Sequence, residues 1–510
     1  MAASTTPSTT INSLPIEVLD LILSYAAEIN TKESITYTYG LTEAPQPLQH
    51  VSLERYVRGR KPEDSLRWVA VDPIRQVNST WRHWALDYAV KELYIRRWRG
   101  SERWIESRHL STLHTKPSGQ AVYRQPYNAV KEAARCVSMC SDLASHVRRL
   151  WFDGLYTAET NADIFKILGK CHNLQAVTLP WIALRYGSAD FWRMLLREGQ
   201  LTSLELTAID LMKSQLSSPR NQVDHKPLMD PNLSFRGLAK LKIFGNTNFK
   251  PITDHDLRMI ARTATELEAI HVTGISSVSI SGIMSLVKAS SSTLRVLEYS
   301  PLSADGFDHP DPDRDGHGTS FHYCPLLLSC PRLTDLSTSV PTLCPDLFRD
   351  ESVRWSGDLQ IRAARICGDD GETPLQSPEA TAVFKNVLDS ARRLIEVRRE
   401  AGKELDVEIF ISSYIFTPAN NLVHGNFDVA QALSEFTWPT HPHYFAAPSW
   451  GSSSGSSSSS SSLSDHPTTL QPSSKGPYGQ TGLYGKDLGP YSCVSEDAFF
   501  EGVSEGWVSF

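Results

Sequence analysis

The chain has 510 residues, 40% of them hydrophobic and 21% charged, with a formal net charge of −7. That length suffices for two or three domains with a sizeable core, and the mild acidity supplies no global pull toward nucleic acid or anionic membrane. No stretch reaches the roughly 18 apolar residues of a membrane span, the first residues lack the basic start and apolar run of a secretory leader, and eight cysteines without a CxxC pair read as reduced thiols of the cytoplasm or nucleus.

Residues 1–12 are small and polar and are expected to be disordered. "LPIEVLDLILSYAAEI", from Leu14 to Ile29, then predicts a helix, with Pro15 in the first turn and Ser13 as a cap. Ile16, Leu19, Leu23 and Ala26 fall on one face at helical spacing, while Val18, Leu21, Ile22 and Tyr25 make a second apolar face. Only Glu17, Asp20, Ser24 and Glu28 remain for water. A surface helix usually has one apolar stripe, so this one needs cover on two sides, from a deep core or from a partner protein.

Residues 30–65 mix Pro, Gly and charge without period and read as an inserted loop. "DPIRQVNSTWRHWALDYAV" follows as one amphipathic helix, with Asp72 as cap, Pro73 in the first turn, and Ile74, Val77, Trp81, Trp84 and Tyr88 along its apolar side. Together these make a helical domain over 13–95, followed by a helical connector over 96–140. In "YIRRWRGSERWIESRH", residues 94–109, arginines alternate with Trp98 and Trp104. The mixture can bind single-stranded nucleic acid; a helix with tryptophans inward and arginines in water is the reading we favour, given the net negative charge.

From residue 141 to 447 a repeat takes over. The pattern apolar-x-x-apolar-x-apolar starts at Val147, Leu174, Leu201, Leu238, Leu267, Leu294 and, more weakly, Leu333, with successive spacings of 27, 27, 37, 29, 27 and 39 residues. Amphipathic segments such as "ADIFKILGKC", "SADFWRMLLREG", "DHDLRMIARTA" and "SGIMSLVKASS" lie between. One short strand and one helix per unit is the pattern of a solenoid, because such a unit cannot bury its own apolar face and must stack on its neighbours. The expected fold class is therefore α/β, a helical domain followed by a solenoid of short parallel strands alternating with helices. "LQIRAARI" reads as a further strand. A long helix over 378–402 with a glycine stop at Gly402, then a strand in "ELDVEIFIS", would close the array. The serine tract that begins near Pro448 cannot form a core, and 448–510 is expected to be a disordered tail, although "DAFFEGVSEGWVSF" is less polar.

Candidate chemistry is sparse. Asp311, Asp313, Asp315 and Gly316 match the first half of a calcium loop, but His322 stands where the bidentate Glu belongs. "HGTS" at His317 has no accompanying aspartate strand or serine turn of a protease. His322, Cys324, Cys330 and Cys344 have no zinc-module spacing, so the cysteines read as core thiols, and Cys136 and Cys140 likewise. No phosphate loop and no nucleophile–base pair is recognisable. No metal, no cofactor and no catalytic residue is expected, and the chain reads as a non-enzyme.

"LPIEVLDLILSYA" resembles the first helix of an F-box, and "QVNSTWRHWA" is similar to the later segment of that family: Val77, Trp81 and Arg82 match, whereas Asn78 replaces a cysteine. The repeats look like the leucine-rich repeats that often follow an F-box, and the layout resembles fungal F-box proteins. The 30–65 segment then has to be an insertion between the two motif halves. The resemblance implies docking on a Skp-type adaptor, and through it on cullin and RING subunits, by Leu14, Pro15, Ile16, Val18, Leu19, Ile22, Val77 and Trp81. It implies a substrate-recognition subunit of an SCF-type cullin-RING ubiquitin ligase, with a protein target held by the repeats. A non-catalytic interaction scaffold and an Arg/Trp-driven nucleic-acid binder are the competing classes.

Overall fold

The computed structural model describes residues 11, 14–39, 70–96, 114–115, 121–122, 128–153, 158–197, 200–207, 227–245, 251–275, 277–301, 323–350, 352–366, 377–411, 414–425, 492–506 and 508. They form two compact units, one ending at Leu179 and the other starting at Pro180. Both are α/β, and parallel strands dominate their sheets.

The first unit begins with α1 (Ile16–Tyr39), a 3-10 turn (Ile74–Gln76) and α2 (Ser79–Val90). α1 runs through residues 30–39, which the sequence reading assigned to the inserted loop; 40–69 lie outside the described residues. The expected helix from Asp72 to Val90 is broken at Val77 and Asn78. Asn78 adopts extended backbone, and its side chain accepts a hydrogen bond from the Trp81 amide at 2.8 Å, so α2 starts afresh with its own cap. An asparagine here is thus explained by its fitness as an N-cap.

Strand β1 (Glu92–Arg96) follows where a helix was expected around Tyr94–Arg96; 97–113, which hold Trp98 and Trp104, lie outside the described residues. The connector is not purely helical either. A small antiparallel pair, β2 (His114–Thr115) with β3 (Ala121–Val122), precedes α3 (Asn128–Met139). α3 buries Val130, Ala134 and Val137, which leaves Cys136 and Cys140 exposed rather than in the core as expected. After α4 (Ser141–His146) come β4 (Arg149–Asp153), α5 (Ala158–Leu168) and β5 (Ala176–Pro180). β1 pairs in parallel with β4, and β4 with β5, so that Leu93, Leu150 and Val177 share one inward row. The ladder therefore starts at β1, one strand before the first repeat legible in the sequence.

In the second unit α6 (Ala183–Tyr186) and α7 (Ala189–Leu195) precede β6 (Ser203–Thr207) and β7 (Lys240–Phe244). Then α8 (Asp254–Ala261), β8 (Ala269–Thr273), α9 (Ile280–Ala289), β9 (Val296–Ser300), α10 (Cys324–Leu328) and β10 (Asp335–Leu343) continue the alternation. After α11 (Asp346–Arg349) come β11 (Gly357–Ile366), α12 (Pro378–Glu400) and β12 (Leu405–Ile411). β6 to β12 pair in sequence order, all parallel.

The register follows the repeat. Each strand from β6 to β10 starts two residues after the first apolar position of its pattern, and the second position lines up from strand to strand as Leu204, Leu241, Ile270, Leu297 and Leu336, a row that Leu359 and Val407 of β11 and β12 continue. All seven are buried, as are the pattern-opening Leu201, Leu238, Leu267, Leu294 and Leu333. Side chains alternate across a strand, so fixing this one row fixes every other. A buried ion pair ties α6 to the start of α8: Arg185 donates to both carboxylate oxygens of Asp256 at 2.8 and 2.6 Å and to the Pro251 carbonyl at 2.8 Å. Asp256 also accepts from the Thr253 amide and hydroxyl, which caps the helix. Burial alone would push this carboxyl up; Arg185 and Thr253 outweigh it and hold Asp256 below its ordinary range.

α12 is capped by Ser377, carries Pro378 in its first turn and stops at Gly402, whose φ of +70° a residue without Cβ adopts at no steric cost. Beyond β12 the sheet changes sense. β13 (Tyr414–Thr417), β14 (Leu422–Gly425) and β15 (Ser492–Ser495) are added antiparallel, and α13 (Glu496–Glu505) follows β15. Residues 492–505 are thus ordered, against the expectation of a disordered tail over all of 448–510; the serine tract itself, like residues 1–10, lies outside the described residues.

Candidate functional site

The most distinctive surface is on α1. Its backbone starts at Pro15, whose carbonyl accepts from the amides of Val18 and Leu19, both at 3.0 Å. Leu19, Leu23 and Ala27, one helical turn apart, point into a small core with Ala70, Val71, Ile74, Ala85 and Ala89, and Ala26, Trp81, Trp84 and Tyr88 pack against it. Two side-chain contacts fix the pose. The Trp84 indole donates to Asp20 Oδ1 at 2.6 Å, and Asn30 Nδ2 donates to the Ala70 carbonyl at 2.7 Å. Trp84 and Tyr88 stack with centroids 5.0 Å apart.

At about 100° per residue, Val18, Leu21, Ile22, Tyr25 and Ile29 fall in one arc of about 100°, roughly opposite Leu19, Leu23 and Ala27. These five are 37–60% exposed. Glu17, Asp20, Ser24 and Glu28 occupy the remaining arc. The helix therefore has one buried apolar stripe, one polar stripe and one apolar stripe in water. Val77, at the break before α2, is a further exposed apolar residue at 56%. Scattered apolar residues on a surface need no explanation, but a contiguous apolar row on one helix marks an interaction surface.

The residues expected at an adaptor interface divide accordingly. Pro15, Ile16, Val18, Ile22 and Val77 are exposed and Leu14 is half-buried. Leu19, 4% exposed, points the other way, into the core. It is corrected from a docking position to a packing position, since α2 and Ile74 cover that side of the helix. Trp81 is half-buried against the same core, with its indole nitrogen buried and without a hydrogen-bond partner among the described residues. Ile16 shares the angular position of the core stripe yet is 60% exposed. Leu21, Tyr25 and Ile29 complete the exposed arc and lie outside the expected docking set, although Leu21 and Tyr25 already stand on the second apolar face; Leu21 follows Val18 by three residues, Tyr25 follows Ile22 by three, and Ile29 follows Tyr25 by four.

A second surface is the outward side of the β6–β12 ladder. There Glu205, Lys242, His271, Glu298, Ser337, Gln360 and Glu408 occupy one register row. They are linked side by side: Lys242 to Glu205 at 3.3 Å, His271 Nδ1 to Glu298 at 2.8 Å, and Gln360 Nε2 to Glu408 at 3.0 Å. The bond to His271 is the main cause that holds the Glu298 carboxyl low, whereas burial and then Asp406 push Glu408 up. The row is polar, half-buried and cross-linked, a surface suited to directional contacts with a folded or extended protein.

Among the described residues no group of three His, Cys, Asp or Glu side chains is placed to hold a metal ion, and no helix is long and apolar enough to cross a membrane. The Asp311–His322 segment lies outside the described residues. Cys324, Cys330 and Cys344 are buried; the Sγ atoms of Cys324 and Cys344 are 3.4 Å apart, and Cys330 Sγ donates to the Leu326 carbonyl. Burial pushes the Cys330 thiol up to about 11 and the Cys171 thiol up to about 12, which makes both poor nucleophiles and poor metal ligands. Compared with known proteins, the chain matches no family model and no curated protein.

Proposed function

We propose that the chain is a substrate-recognition subunit of an SCF-type cullin-RING ubiquitin ligase, built as an F-box-like N-terminal module and a leucine-rich-repeat-like strand ladder. The observation that carries this reading is the uncovered apolar row of α1, Val18, Leu21, Ile22, Tyr25 and Ile29, set opposite a complete internal core. A Skp-type adaptor would cover that row. Fully burying an aliphatic side chain contributes about 1.5–3 kcal/mol, so a few of these residues would dominate the contact. The polar row from Glu205 to Glu408 supports a protein target as the second ligand. The chain would make no bond itself, and would act by holding the target near a charged ubiquitin carrier.

The test is capture of the full-length chain by purified Skp-type adaptor, beside a Val18→Asp/Leu21→Asp/Ile22→Asp variant whose circular dichroism matches that of the unaltered chain. Capture by the unaltered chain and its loss in the variant is the expected result. Absence of capture by either, or equal capture by both, would overturn the reading and leave an interaction scaffold. Steeply salt-dependent binding of RNA or DNA would instead favour the nucleic-acid class.

A further inference from the structure

The far end of the second unit carries its own candidate ligand. β15 adds to the open edge of β14 with four antiparallel pairs, Leu422 to Ser495, Val423 to Val494, His424 to Cys493 and Gly425 to Ser492. The chain then turns directly into α13, capped by the Ser495 hydroxyl. Phe499 enters an aromatic cluster, edge-on to Phe416 at 5.0 Å and to Tyr414 at 5.1 Å, while Phe500 meets Phe384 at 6.2 Å. The junction is marked by charge and by backbone. Glu496 pairs with Arg392 of α12, the Glu496 amide donates to the Asn421 carbonyl at 3.0 Å, and Arg392 Nε donates to Asn421 Oδ1 at 2.6 Å. Asn421 sits in the left-handed region at φ 55°, which an asparagine tolerates.

This arrangement is the mode by which sheet edges capture peptides: main-chain pairing supplies affinity, and pockets beside the edge read side chains. What distinguishes it from the rest of the sheet is its covalent attachment. Between consecutive strands from β6 to β14 the longest connection is 367–404 and the shortest is 412–413, whereas the much longer segment 426–491, with its serine tract, separates β15 from β14. The seat is also imperfectly satisfied, since Glu496 Oε1 is buried without a hydrogen-bond partner among the described residues. Burial pushes the Glu496 carboxyl up in spite of Arg392.

We propose that the β14 edge with the Phe384–Tyr414–Phe416 pocket is a peptide-binding site, and that residues 492–505 are its tethered ligand, seated in the same chain and exchangeable with a free copy of the same segment. The site takes an extended peptide that turns into a short helix, with a carboxylate at the junction for Arg392 and an aromatic residue three positions on. This inference is independent of the adaptor reading.

The experiment uses the full chain with one site-specific protease site inserted in the serine tract, and a fluorescent synthetic peptide of residues 488–510. A tether holds its ligand at an effective concentration on the order of millimolar. Peptide at tens of micromolar is therefore expected to stay unbound with the intact chain, and to exchange into the nicked chain while circular dichroism stays unchanged. A peptide with Phe499→Ala is expected to bind roughly 100-fold more weakly or worse. The proposal is overturned if the nicked chain keeps its own fragment and takes up no peptide, if it unfolds on nicking, or if the Phe499→Ala peptide binds equally well. An intact chain that runs as a dimer, and becomes monomeric with Phe499→Asp, would place the ligand on a second copy and overturn the assignment to the same chain.

Discussion

α1 and α12 are nearly the same length, 24 and 23 residues, yet they treat their apolar side chains differently. α12 buries Phe384, Val387, Leu388, Ala391, Leu394 and Ile395, and its exposed positions are Glu379, Lys385, Asn386, Asp389, Arg393, Glu396, Arg399 and Glu400 together with Pro378 in its first turn and the small Ala382. α1 buries Leu19, Leu23 and Ala27 with equal completeness and leaves Ile16 and the five larger apolar residues of its outer stripe in water. Both helices have a satisfied core side, and among the described residues the extra stripe on α1 stays in water. That stripe is the surface on which the proposed adaptor contact rests, and the contrast finds it without reference to any motif.

The comparison can be broken at the buried stripes first. Leu394→Ala in α12 and Leu23→Ala in α1 each leave a cavity in a closed core, and each is expected to lower unfolding free energy by about 2–5 kcal/mol, read from urea denaturation. Equal losses would show that both inward stripes are true cores; a negligible loss at Leu23 would mean that α1 is held by something other than the Ile74–Ala85–Ala89 cluster. A smaller effect is expected at the cap. Asn78→Ala removes the acceptor for the Trp81 amide and should cost about 1 kcal/mol, whereas Asn78→Asp should retain most of that stability. The smallest effect sharpens the contrast most. Leu21→Ser and Tyr25→Ser are expected to change stability by no more than about 0.5 kcal/mol, because these side chains are already in water. A large loss there would show that the outer stripe is packed within the chain after all.

Much of the architecture was legible before any coordinates. The phased apolar pattern located β4 to β10, and its second position marks the buried row from Leu204 to Leu336, because period-two alternation leaves a half-buried strand only one way to face. The long helix and its Gly402 stop were equally plain, since a serine cap, a proline and a glycine punctuate an amphipathic run. The candidate site was legible in part. Val18 and Ile22 stand in the outer stripe, but Leu19 does not, and Leu21, Tyr25 and Ile29 do. Two apolar stripes on one helix are equivalent in sequence until α2 is docked on one of them.

What the sequence determined by itself was therefore local: periodicity, caps, breakers, and the strand register that periodicity enforces. Only the tertiary structure decided which stripe of α1 turns inward, that the helix expected from Asp72 splits at Val77, and that residues 492–505 close the sheet. Strands as short as Tyr414–Thr417, Leu422–Gly425 and Ser492–Ser495 carry too few residues for a period to be read. Their order comes from long-range pairing across β14 and from the Phe384–Phe416–Phe499 cluster, contacts between segments that no local window contains.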